Sequence, residues 1–189
     1  SGFSGADLSN VLNEAAILTV REEKKEISND IIRESIEKVM IGPARRNRVI
    51  SEKEKKITAY HEAGHAIVGH YLGSRDEVHK ISIISRGRAA GYTWKLPHDD
   101  NRMESKQDFV SDLAMMLGGR IAEDIVIGDI TTGASDDLKK ATALASAMVK
   151  RYGMHDDLGP RTYGKAHEQV FLGRNIQEER DYSEATAAK

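Results

Sequence analysis

His61-Glu62-Ala63-Gly64-His65 reads as H-E-x-x-H, and its surroundings predict a helix. Ser51 followed by Glu54 has the form of a capping box, and Gly73 is a natural stop. Between them Ile57, Tyr60, Gly64, Ile67, Val68 and Tyr71 recur at three- and four-residue spacings and predict one apolar face. Residues i and i+4 stack on a helix, so His61 and His65 can offer two imidazoles to one ion. Glu62 sits one residue round, placed to reach a water on the ion rather than the ion itself. Gly64 lies mid-helix, where it costs about 1 kcal/mol relative to Ala. A close backbone approach near a metal or substrate would require it. Ala63, Ala66 and Gly69 add to the crowd of small residues expected of a helix packed beneath a site. The alternative is a plain helix that happens to carry two histidines.

The 189 residues suffice for one medium domain, or a small and a medium one. Hydrophobic residues make up 39%, enough for a core, and 31% are charged, as on a well-solvated surface. A net charge of −2 gives no reason to expect nucleic acid or an anionic membrane as partner. With no cysteine, disulfides and Cys-ligated zinc are excluded. No apolar run approaches the roughly 18–20 residues that span a bilayer, and no signal peptide is visible. The chain opens Ser-Gly-Phe-Ser and enters a helical pattern at once, as an excised fragment would.

In chain order, Ser4 caps a helix reaching about Glu23, with a stripe of Leu8, Val11, Leu12, Ala15, Ala16 and Thr19. Ile17 falls on its polar side. Ser28 caps a second helix carrying Ile32, Ile36, Val39 and Met40, ended by Gly42-Pro43. Two such helices bury little, so this piece is expected to lean on a neighbour. Residues 44–50 form a basic linker. Its three arginines are too few, and too poor in aromatic neighbours, for a nucleic-acid patch.

Past the motif helix, Val78–Ser85 and Gly91–Pro97 predict two strands joined by a turn at Arg86-Gly87-Arg88. Ser105 opens a helix with Phe109, Leu113, Met116 and Leu117 on one side. Gly118-Gly119 then breaks it or admits another backbone. Arg120–Ile127 is a further helical stretch with Ile121 and Ile125 inward. A loop over 128–133 leads into a long helix to about Tyr152, with a stripe of Leu138, Ala141, Ala145, Met148 and Tyr152 and a Gly153 cap. Residues 154–175 are loop-rich, and the last dozen begin another helix.

A catalytic zinc usually takes three protein ligands. The extended pattern H-E-x-x-H-x-x-G-x-x-H fails here, because Val68 and Tyr71 stand where Gly and His would. His70 is about 140° round the helix from His65. It and His79, His98, His155 and His167 lack a partner at ligand spacing. Glu123, Asp136 and Asp137 remain, and for the aspartates simple first-turn helix capping is the slightly favoured reading.

Several blocks together resemble the FtsH family of membrane-anchored, ATP-dependent zinc proteases. Ser1-Gly-Phe-Ser-Gly-Ala-Asp-Leu-Ser-Asn-Val-Leu-Asn-Glu-Ala-Ala16 is similar to the start of that family's helical AAA lid. His61–His65, Ile83-Ile-Ser-Arg-Gly-Arg88, Gly118-Gly-Arg-Ile-Ala-Glu123, Thr132-Gly-Ala-Ser-Asp-Asp137 and Phe171-Leu-Gly-Arg174 follow in the family's order. The resemblance implies a mainly α fold with a small β-sheet (α+β). It divides the chain into a lid segment over 1–43, the linker, and a zinc peptidase domain over 51–189. It implies His61, His65 and Asp137 as ligands of one zinc, and Glu62 as general base in peptide hydrolysis. Polypeptide substrates, a homo-hexamer and a membrane anchor belong to the full-length protein, anchored in the cell (inner) membrane with this soluble part facing the cytoplasm, or anchored in an organelle membrane, and this part makes no direct membrane contact. The chain has no G-x-x-x-x-G-K-[ST] loop, so ATP is a cofactor of the full-length protein only, although Gly5 and Ala6 would border its pocket. The edge of the Gly91–Pro97 strand is expected to hold extended substrate by strand addition. The competing function is a non-catalytic module that assembles a ring or binds partners, against which the intact Glu62 speaks.

Overall fold

The computed structural model describes residues 3–44, 50–72, 76–86, 90–97, 103–164 and 181–187. The order is α1 (Gly5–Arg21), α2 (Asn29–Ile41), α3 (Glu52–Tyr71), β1 (Asp76–Ser82), β2 (Tyr92–Pro97), α4 (Lys106–Ile127), a 3-10 turn (Thr132–Ala134), α5 (Ser135–Lys150) and α6 (Glu184–Ala187). This is the mainly α, α+β architecture expected. Gly73, most of the basic linker, the Gly87-Arg88 turn, His98, His167 and the Phe171–Arg174 block lie outside the described residues. No helix among the described residues is long and apolar enough to cross a membrane.

Helix starts follow the predicted caps. The hydroxyls of Ser4, Ser28, Ser51 and Ser105 accept the backbone N–H groups of Asp7, Ile31, Glu54 and Asp108. Asp7 and Asp108 return the bond and close capping boxes. Gly42 ends α2 at φ 101°, and Gly128 ends α4 at φ 73°, both in the left-handed region that glycine enters without strain.

The buried faces differ from the apolar stripes. In α1 only Val11, Ala15 and Thr19 are buried, while Leu8 and Leu12 are more than half exposed. In α2 the inward residues are Ile31, Ser35 and Glu37, and Met40 points out. A polar set replaces the predicted one because Glu37 has partners. It accepts from Lys80 Nζ, from Tyr92 Oη at 2.8 Å, and pairs with Arg86 at 2.8 Å. Burial alone would raise the Glu37 pKa, but Lys80, Tyr92 and Arg86 outweigh it and hold the carboxyl below its ordinary value. Arg86 is itself buried, reaches the Gly42 carbonyl, and bridges to Ala44 by backbone pairing. This cluster joins the α1–α2 hairpin to the sheet.

β1 and β2 pair antiparallel, with Ser82 opposite Tyr92, Ile81 opposite Thr93 and Lys80 opposite Trp94. A bulge follows Val78. β1 therefore runs Asp76–Ser82 rather than Val78–Ser85. Ile83 and Ile84 fall beyond it and are exposed, because the Ser82 hydroxyl accepts the Ile84 N–H and turns the chain there.

The main packing is α3 against α4. Its tightest point is a glycine crossing. A Cβ on Gly64 would lie 2.4 Å from the Gly118 carbonyl oxygen and 2.7 Å from Ala122 Cβ, and one on Gly118 would lie 2.8 Å from the Gly64 carbonyl oxygen. Gly64 is thus required by the backbone of α4. Gly118-Gly119 does not break the helix, which runs unbroken for 22 residues. Its inward phase is Phe109, Ser111, Met115, Gly118, Gly119 and Glu123, so Ile121 and Ile125 face outward, against expectation. In α3 the buried face is His61, Glu62, Gly64, His65, Ala66 and Gly69, and the predicted Tyr60, Ile67 and Tyr71 are exposed. In α5 Ala141 and Met148 are buried, whereas Leu138 and Ala145 are not, and Tyr152, beyond the helix end, is exposed.

Gly64→Ala is therefore expected to destabilise the chain. The gain in helix propensity is about 1 kcal/mol, but overpacking against a backbone oxygen costs roughly 1–3 kcal/mol or more. A urea midpoint equal to or above that of the parent would contradict the crossing.

Candidate metal centre

Three elements converge on one cleft of about 910 Å³. α3 supplies His61, Glu62 and His65, α4 supplies Glu123 beneath them, and the first turn of α5 supplies Asp137. The histidines are buried because α4 presents bare glycine there. A Cβ on Gly119 would lie 2.6 Å from His65 Nε2 and 2.7 Å from His61 Nε2.

Each imidazole is tied at its far nitrogen. His61 Nδ1 lies 2.7 Å from Glu123 Oε1, and His65 Nδ1 lies 2.7 Å from the Met115 carbonyl oxygen. A carbonyl only accepts, so His65 carries its proton on Nδ1. Glu123, 1% exposed, uses its other oxygen to accept the Thr131 N–H at 2.9 Å. The two Nε2 atoms then face each other at 3.0 Å. Asp137 Oδ2 stands 3.2 Å from the first and 3.6 Å from the second.

In neutral rings with Nδ1 protonated, these are three acceptors turned on one point. A proton can sit between only two of them, whereas a cation satisfies all three. One ligand atom from each of His61, His65 and Asp137 lies within 4.8 Å of the others. Two imidazoles and a carboxylate suit zinc, and each imidazole has the oxygen partner that ligating histidines ordinarily have. The donor set fits a metal.

Charge is distributed accordingly. Burial pushes the Asp137 pKa up, but hydrogen bonds and charge from His61 and His65 hold it well below the usual carboxylate range. The N-terminus of α5 adds favourable partial positive charge. Burial lowers the His61 pKa, yet Asp137 and Glu123 more than offset this and leave it above its ordinary value. Glu62 is raised, chiefly by burial and against the Thr93 hydrogen bond and the histidines. It stands outside the three-residue group, on the β2 side of the cleft, where its Oε2 accepts from Thr93 Oγ1 at 2.8 Å.

The structure thus brings His61, Glu62, His65 and Asp137 together. Asp136 borders the same cleft but stays outside the ligand group, being exposed and paired with Lys139 at 3.3 Å. His70 and His79 are exposed, and His155 is half-buried away from the cleft. Sequence reasoning missed Thr93, Gly119 and the Met115 carbonyl. Gly119 had a signal in its glycine pair, but a main-chain carbonyl leaves none.

Among proteins of known family, the model for peptidase family M41 matches residues 48–189, and that for the AAA+ lid domain matches residues 1–34. The chain is 52% identical over 188 residues to the ATP-dependent zinc metalloprotease FtsH of Veillonella parvula. It is 51% identical over 189 residues to the proteins of that name from Caldicellulosiruptor bescii and Halothermothrix orenii. These alignments cover 100% of this chain but only 29%, 31% and 30% of the relatives' lengths. With one family model spanning most of its length, the chain belongs to peptidase family M41.

Proposed function

We propose that this chain is the zinc-dependent endopeptidase part of an FtsH-like ATP-dependent protease, with His61, His65 and Asp137 holding the zinc and Glu62 as general base. The convergence of two bare Nε2 atoms and one carboxylate oxygen carries the reading. When bound, zinc supplies Lewis acidity, which lowers the pKa of water to about 7 and polarises a peptide carbonyl. Glu62 takes the proton of the attacking water and returns it to the leaving amine. Burial raises its pKa above the ordinary carboxylate value, the direction that makes a carboxylate the stronger base. Glu123 and the Met115 carbonyl fix the imidazoles so that Nε2 faces the metal. Among the described residues β2 pairs only with β1, and its other edge would hold an extended segment of an unfolded or membrane polypeptide by strand addition.

In this reading residues 1–43 are lid, 44–50 linker and 51–189 peptidase. The longer protein would add the ATPase, a membrane anchor and a homo-hexameric ring, with Gly5 and Ala6 near its nucleotide. Zinc analysis combined with cleavage of an unfolded protein tests the proposal. One zinc per chain with cleavage that a chelator stops is expected. Full zinc without cleavage would favour the non-catalytic module.

Acidification should release the metal. Ligation needs the Nε2 lone pair, and a proton on His61 competes for it. Because Asp137 and Glu123 raise the His61 pKa, competition begins above the reference value of about 6.5 and grows as pH falls. Zinc affinity measured by titration should therefore decline steadily from about pH 8 to about pH 5.5. A flat profile would contradict a two-histidine site.

A further inference from the structure

Glu62 is held by the start of β2, on two counts. The Thr93 hydroxyl lies 2.8 Å from Glu62 Oε2 and 3.2 Å from the Glu62 carbonyl oxygen; its single proton goes to the nearer, charged carboxylate oxygen, with the backbone carbonyl as the weaker competing acceptor. Two positions earlier, Gly91 leaves open the space the carboxylate fills, since a Cβ there would lie 2.9 Å from Glu62 Oε1. A buried carboxylate with several rotamers has a strong alternative nearby, namely swinging towards the imidazoles of His61 and His65. Thr93 and Gly91 oppose that swing, one by attraction and one by making room.

The strand is well placed for this. Successive residues on β2 point to opposite faces. Tyr92 is anchored by its hydroxyl to the buried Glu37, and Thr93 points the other way, towards α3. Backbone pairing of Thr93 with Ile81 fixes its height along the sheet.

We propose that Thr93 is a positioning residue for peptide hydrolysis: its hydroxyl donates to Glu62 and keeps the carboxylate beside the metal centre, free to act as base and out of the ligand set. The inference rests on the reading of Glu62 as base. Thr93 does not touch the reacting atoms and acts through Glu62 alone.

Thr93→Val removes the hydroxyl while keeping size, branching and strand preference, and Thr93→Ser keeps the hydroxyl. Each is compared with the parent for zinc affinity, thermal midpoint, and kcat and KM on an unstructured fluorogenic peptide. The valine variant should lose about 10–100-fold in kcat, with KM changed less than about threefold, and serine should recover most of the loss. The midpoint of both should match the parent, and the zinc affinity of neither should fall below it, since no ligand is removed. A crystal structure of the valine variant should show the Glu62 side chain in a new rotamer.

A valine variant with parental kcat, while Glu62→Gln is inactive, would overturn the role of Thr93 and leave Glu62 as base. An active Glu62→Gln would instead overturn the reading beneath it. A rise in KM at constant kcat would assign Thr93 to the substrate strand rather than to the base. A lowered midpoint in valine that serine does not restore would make its role purely structural.

Discussion

Glu62→Gln is expected to bind zinc as the parent does and to lose peptide hydrolysis by about 10²–10⁴-fold, the usual contribution of a general base. Glutamine fits the same space and its carbonyl oxygen can still accept from Thr93 Oγ1, so the local structure should persist. Burial already works against the charge of Glu62, and replacing it by a neutral amide should leave the thermal midpoint unchanged or higher. Zinc content by elemental analysis, together with kcat, measures both halves. Turnover within about tenfold of the parent would show that another group takes the proton.

The second large effect concerns the acids. Asp137→Ala should strip most of the zinc and with it the activity, since Asp137 is the only carboxylate among the described residues grouped with His61 and His65 at ligand distance. Glu123→Ala should keep measurable zinc at roughly 10–100-fold weaker affinity, because it releases His61 Nδ1 without removing a ligand. Asp136→Ala loses an exposed pair with Lys139 and a first-turn charge, about 0.3–1 kcal/mol of helix stability and no metal. Competition titration with a chelator of known zinc affinity ranks the three. Zinc retained by Asp137→Ala and lost by Glu123→Ala would reverse the assignment.

Much of the frame was legible because it depends on local chemistry. Four serines were predicted as caps and all four cap, since a hydroxyl that satisfies an orphan N–H needs only its own neighbours. His61, Glu62 and His65 were legible for the same reason, their relation being set by one turn of one helix. Asp137 was not, from the residues alone. Its first-turn position reads slightly more readily as a helix cap, and only the packing of α5 on α4 turns it to the imidazoles. Helix faces were the weakest part. Hydrophobic spacing favoured Tyr60, Ile67, Ile121 and Ile125, which are exposed, over Glu37 and Glu123, which are buried. A carboxylate is buried only where partners meet it, and those of Glu37 lie 43 to 55 positions away. The close α3–α4 crossing also consumes glycine rather than large apolar side chains, so the true interface carries little hydrophobic signal.

The proposed function requires one zinc between His61, His65 and Asp137. A crystal structure of the zinc-loaded chain, with diffraction recorded on both sides of the zinc absorption edge, tests it most directly. One anomalous peak is predicted, about 2.0–2.2 Å from Nε2 of His61, Nε2 of His65 and a carboxylate oxygen of Asp137. Glu62 should line the cleft without entering the ligand sphere, and Glu123 should remain on His61 Nδ1. A peak ligated by Glu62 or Glu123 in place of Asp137, or one lying away from the two histidines, would contradict the account.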